Sequence, residues 1–289
     1  MAKKVLITGG AGLVGQNLCQ LLKTSDEIEL HVVDKATFNL HILKQINPNV
    51  TTYPLDLADS SQLVNLDTDY DWVVINHAQI SAKSYEKFQR NNVQATLNLL
   101  DFLKANCNAK IVHVSSSVVN SQADDDYSKT KLIQEEAVLS AFPDAIVLRP
   151  TLMFGPLDRK HLGWLAQFMK KTPIFPIPGN GHFIRQPLFV GDFVRIIEHA
   201  LVGELDPASY NISGTENIYY VDIIRKIKKV TRSKTKIIFI RYKVFEYLLR
   251  LYAFFSNDPP FTVQQLEALV IPEVFPGSDW PEKTGISPT

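Results

Sequence analysis

The residues with the clearest chemical use are Tyr127 and Lys131, four positions apart at the start of a predicted helix. That spacing puts both side chains on one helical face. A free phenol, with a pKa near 10, gives little base at neutral pH, and an ammonium beside it favours the phenolate. The pair can therefore move a proton at a substrate oxygen. Tyr-x-x-x-Lys also arises by chance as a surface pair, and Lys129 shows how ordinary lysine is in this stretch. The upstream sequence separates the two readings. Ser115-Ser116-Ser117 follows the run Ile111-Val112-His113-Val114, so a hydroxyl stands at the carboxyl edge of a predicted sheet, where ligands bind in α/β folds.

A second group of residues suits phosphate. Gly9, Gly12 and Gly15 lie between an apolar strand, Lys4–Thr8, and a predicted helix running to about Leu22. Glycine allows a tight turn, a close approach of backbone to a pyrophosphate, and close packing of helix on strand. The helix start at Leu13 and Val14 then offers free N–H groups. Asp34 ends the second strand, 19 residues after Gly15, placed to accept from the adenosine ribose hydroxyls of a dinucleotide. A carboxylate there repels a 2′-phosphate, which favours NAD over NADP, and Lys35 partly offsets the preference. Asp56 and Leu57 after the third strand, and Ala78 after the fourth, reach the same edge. Asp56 has two readings, a partner for the adenine amino group or a cap for the segment 58–65.

These residues need a scaffold. Apolar runs at 28–34, 50–55, 72–76, 110–115 and 145–149 alternate with helical patterns at 85–106 and 127–141. Continuous apolar strands separated by helices imply a parallel sheet covered on both faces, and the right-handed crossover rule makes it doubly wound, a Rossmann α/β fold. After Pro150 the alternation becomes irregular, with helices expected near 160–171, 192–202, 221–231, 243–255 and 262–270. Residues 1–150 are expected to hold the cofactor and 151–289 to form a smaller mixed substrate region, with the chain free to weave between them.

Composition narrows the functional classes. Thirty Lys+Arg against thirty Asp+Glu give zero net charge, which argues against a nucleic-acid binder held by a basic surplus. Two cysteines, Cys19 and Cys107, make neither a disulfide framework nor a zinc site. The seven histidines show no ligand spacing, so no metal is expected; His77 reads as a packing residue. No apolar run is long enough for a membrane span or a signal peptide. A cytoplasmic protein acting on a small molecule is expected.

On TGGAGLVG, VVD, HVSSS, YSKTK, LRPTLMFGP and IRQPLFVGDF, in that order, the chain resembles the extended branch of the short-chain dehydrogenase/reductases, the NAD-dependent epimerase/dehydratase family. The resemblance covers nearly the whole chain. It implies that Tyr127 is the general acid/base, that Lys131 orients it and holds the cofactor ribose, and that Ser117 polarises the substrate oxygen. It further implies that Asn92 lies beside the cofactor and that Arg185 pairs with a nucleotide-sugar pyrophosphate. A surface ion pair is the other reading of Arg185. Relatives often dimerise through two helices, so a homodimer is possible.

Departures from the family pattern matter as well. Dehydratases of the branch carry a carboxylate after the serine position, whereas here Val118-Val119 follow, so dehydration is disfavoured. Ser117 and Tyr127 are only ten residues apart, and Asp124-Asp125-Asp126 sits between them. This is either an acidic turn capping the helix or a charge that disfavours an anionic substrate and raises the Tyr127 pKa. Gln79 replaces a smaller residue near the cofactor. Three functions stay open: a nucleotide-sugar epimerase or ketoreductase, a reductase of a less charged or lipid-linked ketone, and a non-catalytic NAD-binding protein. The aromatic helix 244–255 is expected to face the core, with a lid, a dimer face or a membrane-surface contact as alternatives.

Overall fold

The computed structural model describes residues 2–289 apart from 83, 122–124, 256–262, 272–273 and 278, with the backbone alone at 253, 255, 264, 265 and 268. Asp124 lies outside the described residues. The first half runs β1 (Lys3–Thr8), α1 (Leu13–Leu22), β2 (Ile28–Val33), α2 (Thr37–Ile46), β3 (Thr51–Tyr53), a 3-10 turn (Ser60–Asn65) and β4 (Trp72–Ile75). It continues through α3 (Tyr85–Phe88), a π-helical turn (Gln89–Gln94), α4 (Ala95–Asn106), β5 (Lys110–Val114), a 3-10 turn (Ser117–Asn120), α5 (Asp126–Ala141) and β6 (Ile146–Pro150). The second half has β7 (Met153–Phe154), α6 (Leu162–Lys171), β8 (Ile174–Pro178), β9 (Ile184–Arg185), β10 (Leu188–Phe189) and α7 (Val190–Val202). It ends with β11 (Ser209–Ile212), β12 (Ile218–Tyr219), α8 (Tyr220–Thr231), β13 (Lys236–Ile240), α9 (Tyr242–Phe255), α10 (Val263–Val270) and α11 (Trp280–Thr284).

Among the described residues the central sheet has seven strands in the order β11-β6-β5-β4-β1-β2-β3. Every pairing in it is parallel. The order reverses between β1 and β4, which opens the crevice where doubly wound sheets bind ligands. The strands are apolar on both sides because both sides are covered. Val5, Ile7, Val74 and Val112 enter one core with α1 and α7, while Leu6, Val73, Ile75 and Ile111 enter the other with α4. Chain after residue 150 returns to this platform: β11 pairs with β6, and Phe193, Ile196 and Ile197 of α7 share a core with Val14 and Leu18 of α1. A smaller core joins β8, β13, α6 and α8 through Met169, Phe175, Ile177, Val221 and Ile224.

Helix α9 departs from the expected core-facing role. None of its described side chains is buried; Tyr242, Phe245 and Leu249 are half-buried, and its other described apolar side chains stand exposed. Among the described residues, no helix is long and apolar enough to cross a membrane.

Candidate active site

The glycine loop has three distinct steric reasons for its composition. Gly9 is left-handed, with φ of 59°, and a Cβ there would lie 2.6 Å from the His77 backbone. At Gly15 a Cβ would lie 2.3 Å from Gly10, so the helix sits directly on the turn. At Gly12 it would meet only the Gly9 carbonyl, at 3.2 Å, which leaves the outer side of the turn open. Gly12 also begins α1 without a side-chain cap, so the first N–H groups, at Leu13 and Val14, have no intrahelical acceptor. An open, uncapped helix start of this kind fits a pyrophosphate.

Asp34 follows β2 and is tied into the fold through both carboxylate oxygens. Its Oδ2 accepts from the Ala11 amide at 3.1 Å and its Oδ1 from the Ala36 amide at 2.9 Å, so it holds the glycine loop against the second strand. Lys35 donates to Asn91 at 2.6 Å, and burial lowers its pKa. Asp56 Oδ1 accepts from the Ala58 amide and its Oδ2 from Arg90 at 2.8 Å. Burial raises the Asp56 pKa, but the Arg90 and Ala58 bonds outweigh it and the net shift is downward. The 3-10 turn is capped instead by Asp59. Leu57 is buried, and its carbonyl accepts from Asn98.

Behind the loop lies a polar network on which the sequence reading was silent. His77 bridges Thr8 at 2.8 Å and Thr96 at 3.0 Å. Burial, then the nearby Lys131 and Lys35, lower its pKa to about 3, so it is a neutral structural histidine. Gln134 donates to Thr96 at 2.8 Å and accepts from Lys131 at 2.5 Å. Lys131 also donates to the Val114 carbonyl at 2.9 Å. It is almost wholly enclosed, and burial lowers its pKa to about 7 against a weaker upward pull from Glu135. Asn92, on the π turn, accepts from the Gln79 amide at 2.6 Å and donates to Thr130 at 3.0 Å. It thereby ties the segment after Ala78 to the helix that carries Tyr127. The Gln79 side chain folds onto Ser81 and Asn91. Gln134 sits three residues after Lys131, a same-face spacing through which the network could have been found.

The serine run divides its labour. Ser115 donates to Glu135 at 2.5 Å, and Glu135 is paired with Arg149. The Ser116 hydroxyl hydrogen-bonds Tyr127. Ser117 is buried at the first position of the next 3-10 turn. Burial raises the Tyr127 pKa to about 12; the Ser116 bond opposes the rise and Asp125 adds to it. Asp125 is the N-cap of α5, accepting from the Ser128 amide at 2.8 Å. Tyr127 and Lys131 thus share α5 at the carboxyl edge of β5, and the glycine loop leaves the same edge at β1.

Arg185 lies apart from this group. It is buried on β9 and donates to the carbonyls of Ile184 at 2.7 Å, Ile271 at 3.0 Å and Leu269. Leu269 lies in the last turn of α10 and Ile271 directly follows it, at an end where a cation is favoured. The neighbouring Gln186 accepts from the Phe275 amide at 2.7 Å.

Fold and site together define a dinucleotide-binding protein of the doubly wound class with a tyrosine–lysine pair. The chain belongs to the NAD-dependent epimerase/dehydratase family, whose model matches residues 5–213. It is similar to the dTDP-glucose 4,6-dehydratase of Streptomyces niveus, at 24% identity over 78% of this chain and 77% of that one. It is also similar to the ceramide reductase of Caulobacter vibrioides, at 27% identity over 60% of this chain and 53% of that one. The UDP-glucuronic acid 4-epimerase of Bacillus cereus, solved in complex with NAD, shares its fold with a TM-score of 0.71, at 23% identity over 92% of this chain and 95% of that one.

Proposed function

We propose that the protein is an NAD-dependent hydride-transfer enzyme acting at one carbinol or ketone carbon of a nucleotide sugar, as an epimerase or a ketoreductase. The observation that carries the reading is Tyr127 and Lys131 on one helical face at the carboxyl edge of the sheet, beside the open glycine turn. Bound NAD supplies the centre that takes up a hydride from the substrate carbon or gives it back. Tyr127 takes the hydroxyl proton when the carbon is oxidised and returns it on reduction. Ser116 donates to the Tyr127 oxygen and steadies its anionic form; Ser117 is the second hydroxyl assigned to the substrate oxygen. Lys131, fixed by Val114 and Gln134, would add positive charge in its protonated form.

The residues favour NAD over NADP. Asp34 is a carboxylate that would oppose a 2′-phosphate at the end of β2, and Lys35 and Arg90 are already engaged with Asn91 and Asp56. Water elimination is disfavoured although a dehydratase is among the relatives, because it needs an added acid and base and apolar Val118 and Val119 stand after Ser117. Replacing Tyr127 by Phe is expected to keep NAD binding and lower turnover about 100- to 10,000-fold. Unchanged turnover overturns the assignment of Tyr127 as the acid/base.

A second reading, reduction of a less charged ketone, rests on Arg185. Among the described residues it donates to the carbonyls of Ile184, Leu269 and Ile271, and Asp125 adds negative charge beside Tyr127. A binding screen of uridine, thymidine and guanosine diphosphate sugars against the NAD-loaded protein separates the two. Binding of one of them supports the nucleotide sugar; binding of none moves the assignment to the ketone.

A further inference from the structure

The zero net charge of the chain conceals a strong segregation. Nine lysines and arginines and no acid lie between residues 223 and 245, leaving 21 bases against 30 acids elsewhere. Lys226, Lys229, Lys234 and Lys236 are exposed, and none has a carboxylate partner among the described residues. Two of them, Lys234 and Lys236, line an open groove of about 580 Å³ whose other wall carries Lys170 and Lys171 at the end of α6. Met169, Pro173 and Ile174 also line the groove.

An apolar strip runs from this groove. Ile174 pairs beside Lys236 in the β8–β13 ladder. Alternation along the strands sets Ile174 and Ile238 on the face opposite Phe175, Ile177 and Ile237, which enter the small core. Ile174 is 47% exposed and Ile238 37%. β13 then leads directly into α9. There Val244, Tyr247, Leu248, Leu251 and Tyr252 recur at helical spacing on the side away from the half-buried Tyr242, Phe245 and Leu249. Tyr247 is 64% exposed, Leu248 46% and Leu251 44%. A helix apolar on both sides, with only Lys243, Glu246 and Arg250 as its polar stripe, is suited to lie between the protein and a second apolar phase.

We infer that α9, β13 and the lysine groove form a peripheral docking surface for an anionic lipid bilayer. Apolar side chains of a surface helix enter the headgroup boundary while adjacent lysines meet anionic headgroups. A two-sided charge distribution, basic here and acidic elsewhere, also orients the molecule on such a surface. The lysine groove gives a phosphate headgroup a place to sit. This inference does not depend on which substrate the site takes.

The test is flotation of the full chain with two kinds of vesicle, one of phosphatidylcholine alone and one with about 30% phosphatidylglycerol. Binding to the anionic vesicles only, weakened by added salt, is expected. Lys234→Gln with Lys236→Gln is expected to lower partitioning roughly 30-fold, and Leu248→Ser with Leu251→Ser at least about tenfold. All four positions are exposed, so the variants are expected to melt within a few degrees of the parent. No binding, equal binding to both vesicles, or binding that survives the leucine variant overturns the proposal. A parent that is dimeric in solution and becomes monomeric in the leucine variant also overturns it, because a second copy then covers the face.

Discussion

The cofactor platform and the smaller region beyond it handle polar groups in opposite ways. The platform buries them and joins them: Thr8, His77, Thr96, Gln134 and Lys131 form one hydrogen-bonded chain, and Ser115, Glu135 and Arg149 form another. The smaller region keeps an aliphatic and aromatic core and leaves both its lysines and much of α9 outside. Buried networks fix positions, since each member left unpaired is costly. The aliphatic and aromatic core of the smaller region tolerates local change better. The contrast teaches where the fold fixes positions most tightly: on the face of α5 that carries Lys131 and in the network behind the glycine loop.

The contrast can be tested most severely at Glu135. Glu135→Ala leaves Arg149 and Ser115 without their partner in an enclosed site, and a loss of about 3–5 kcal/mol is expected in denaturant unfolding. A loss below about 1 kcal/mol would show that the network is not a structural requirement. Lys131 comes next. Its folded pKa is depressed from 10.5 to about 7, so between those values the unfolded chain holds more protons than the folded one. Stability of the cofactor-free protein therefore rises with pH across that window. Lys131→Met is expected to flatten that rise, read as melting temperature against pH; an unchanged slope would assign the dependence to other groups.

The platform was legible because its signals are local. The glycine spacing, the acid after β2 and the continuous apolar strands each lie within a few residues of the feature they specify, and the strand limits agree within about two residues. Other features escaped for physical reasons. β8 carries Pro176 and Pro178, which read as breakers, yet among the described residues it pairs with β13 alone, where missing N–H groups on the other edge cost nothing. β11 is short and polar and pairs only at the sheet's end. The role of Arg185 depends on carbonyls more than 80 residues away, and nothing local announces such a contact. Helix α9 has the period of a core helix, and periodicity cannot say whether a second layer exists to cover it.

The smaller region offers the finer tests. Ile177 is fully enclosed in its core, so Ile177→Val is expected to cost about 0.5–1.5 kcal/mol through one lost methyl and the space it leaves. Leu248, nearly two turns into α9, should behave differently although it is equally apolar. It is 46% exposed, so Leu248→Ser removes little burial that folding provides, and a change within about 0.5 kcal/mol is expected. A loss as large as that at Ile177 would mean that the outer side of α9 is covered within the folded chain. A neutral result leaves that apolar side to be explained by something outside the chain, because exposed hydrophobic strips of this extent carry interactions more often than they arise by accident.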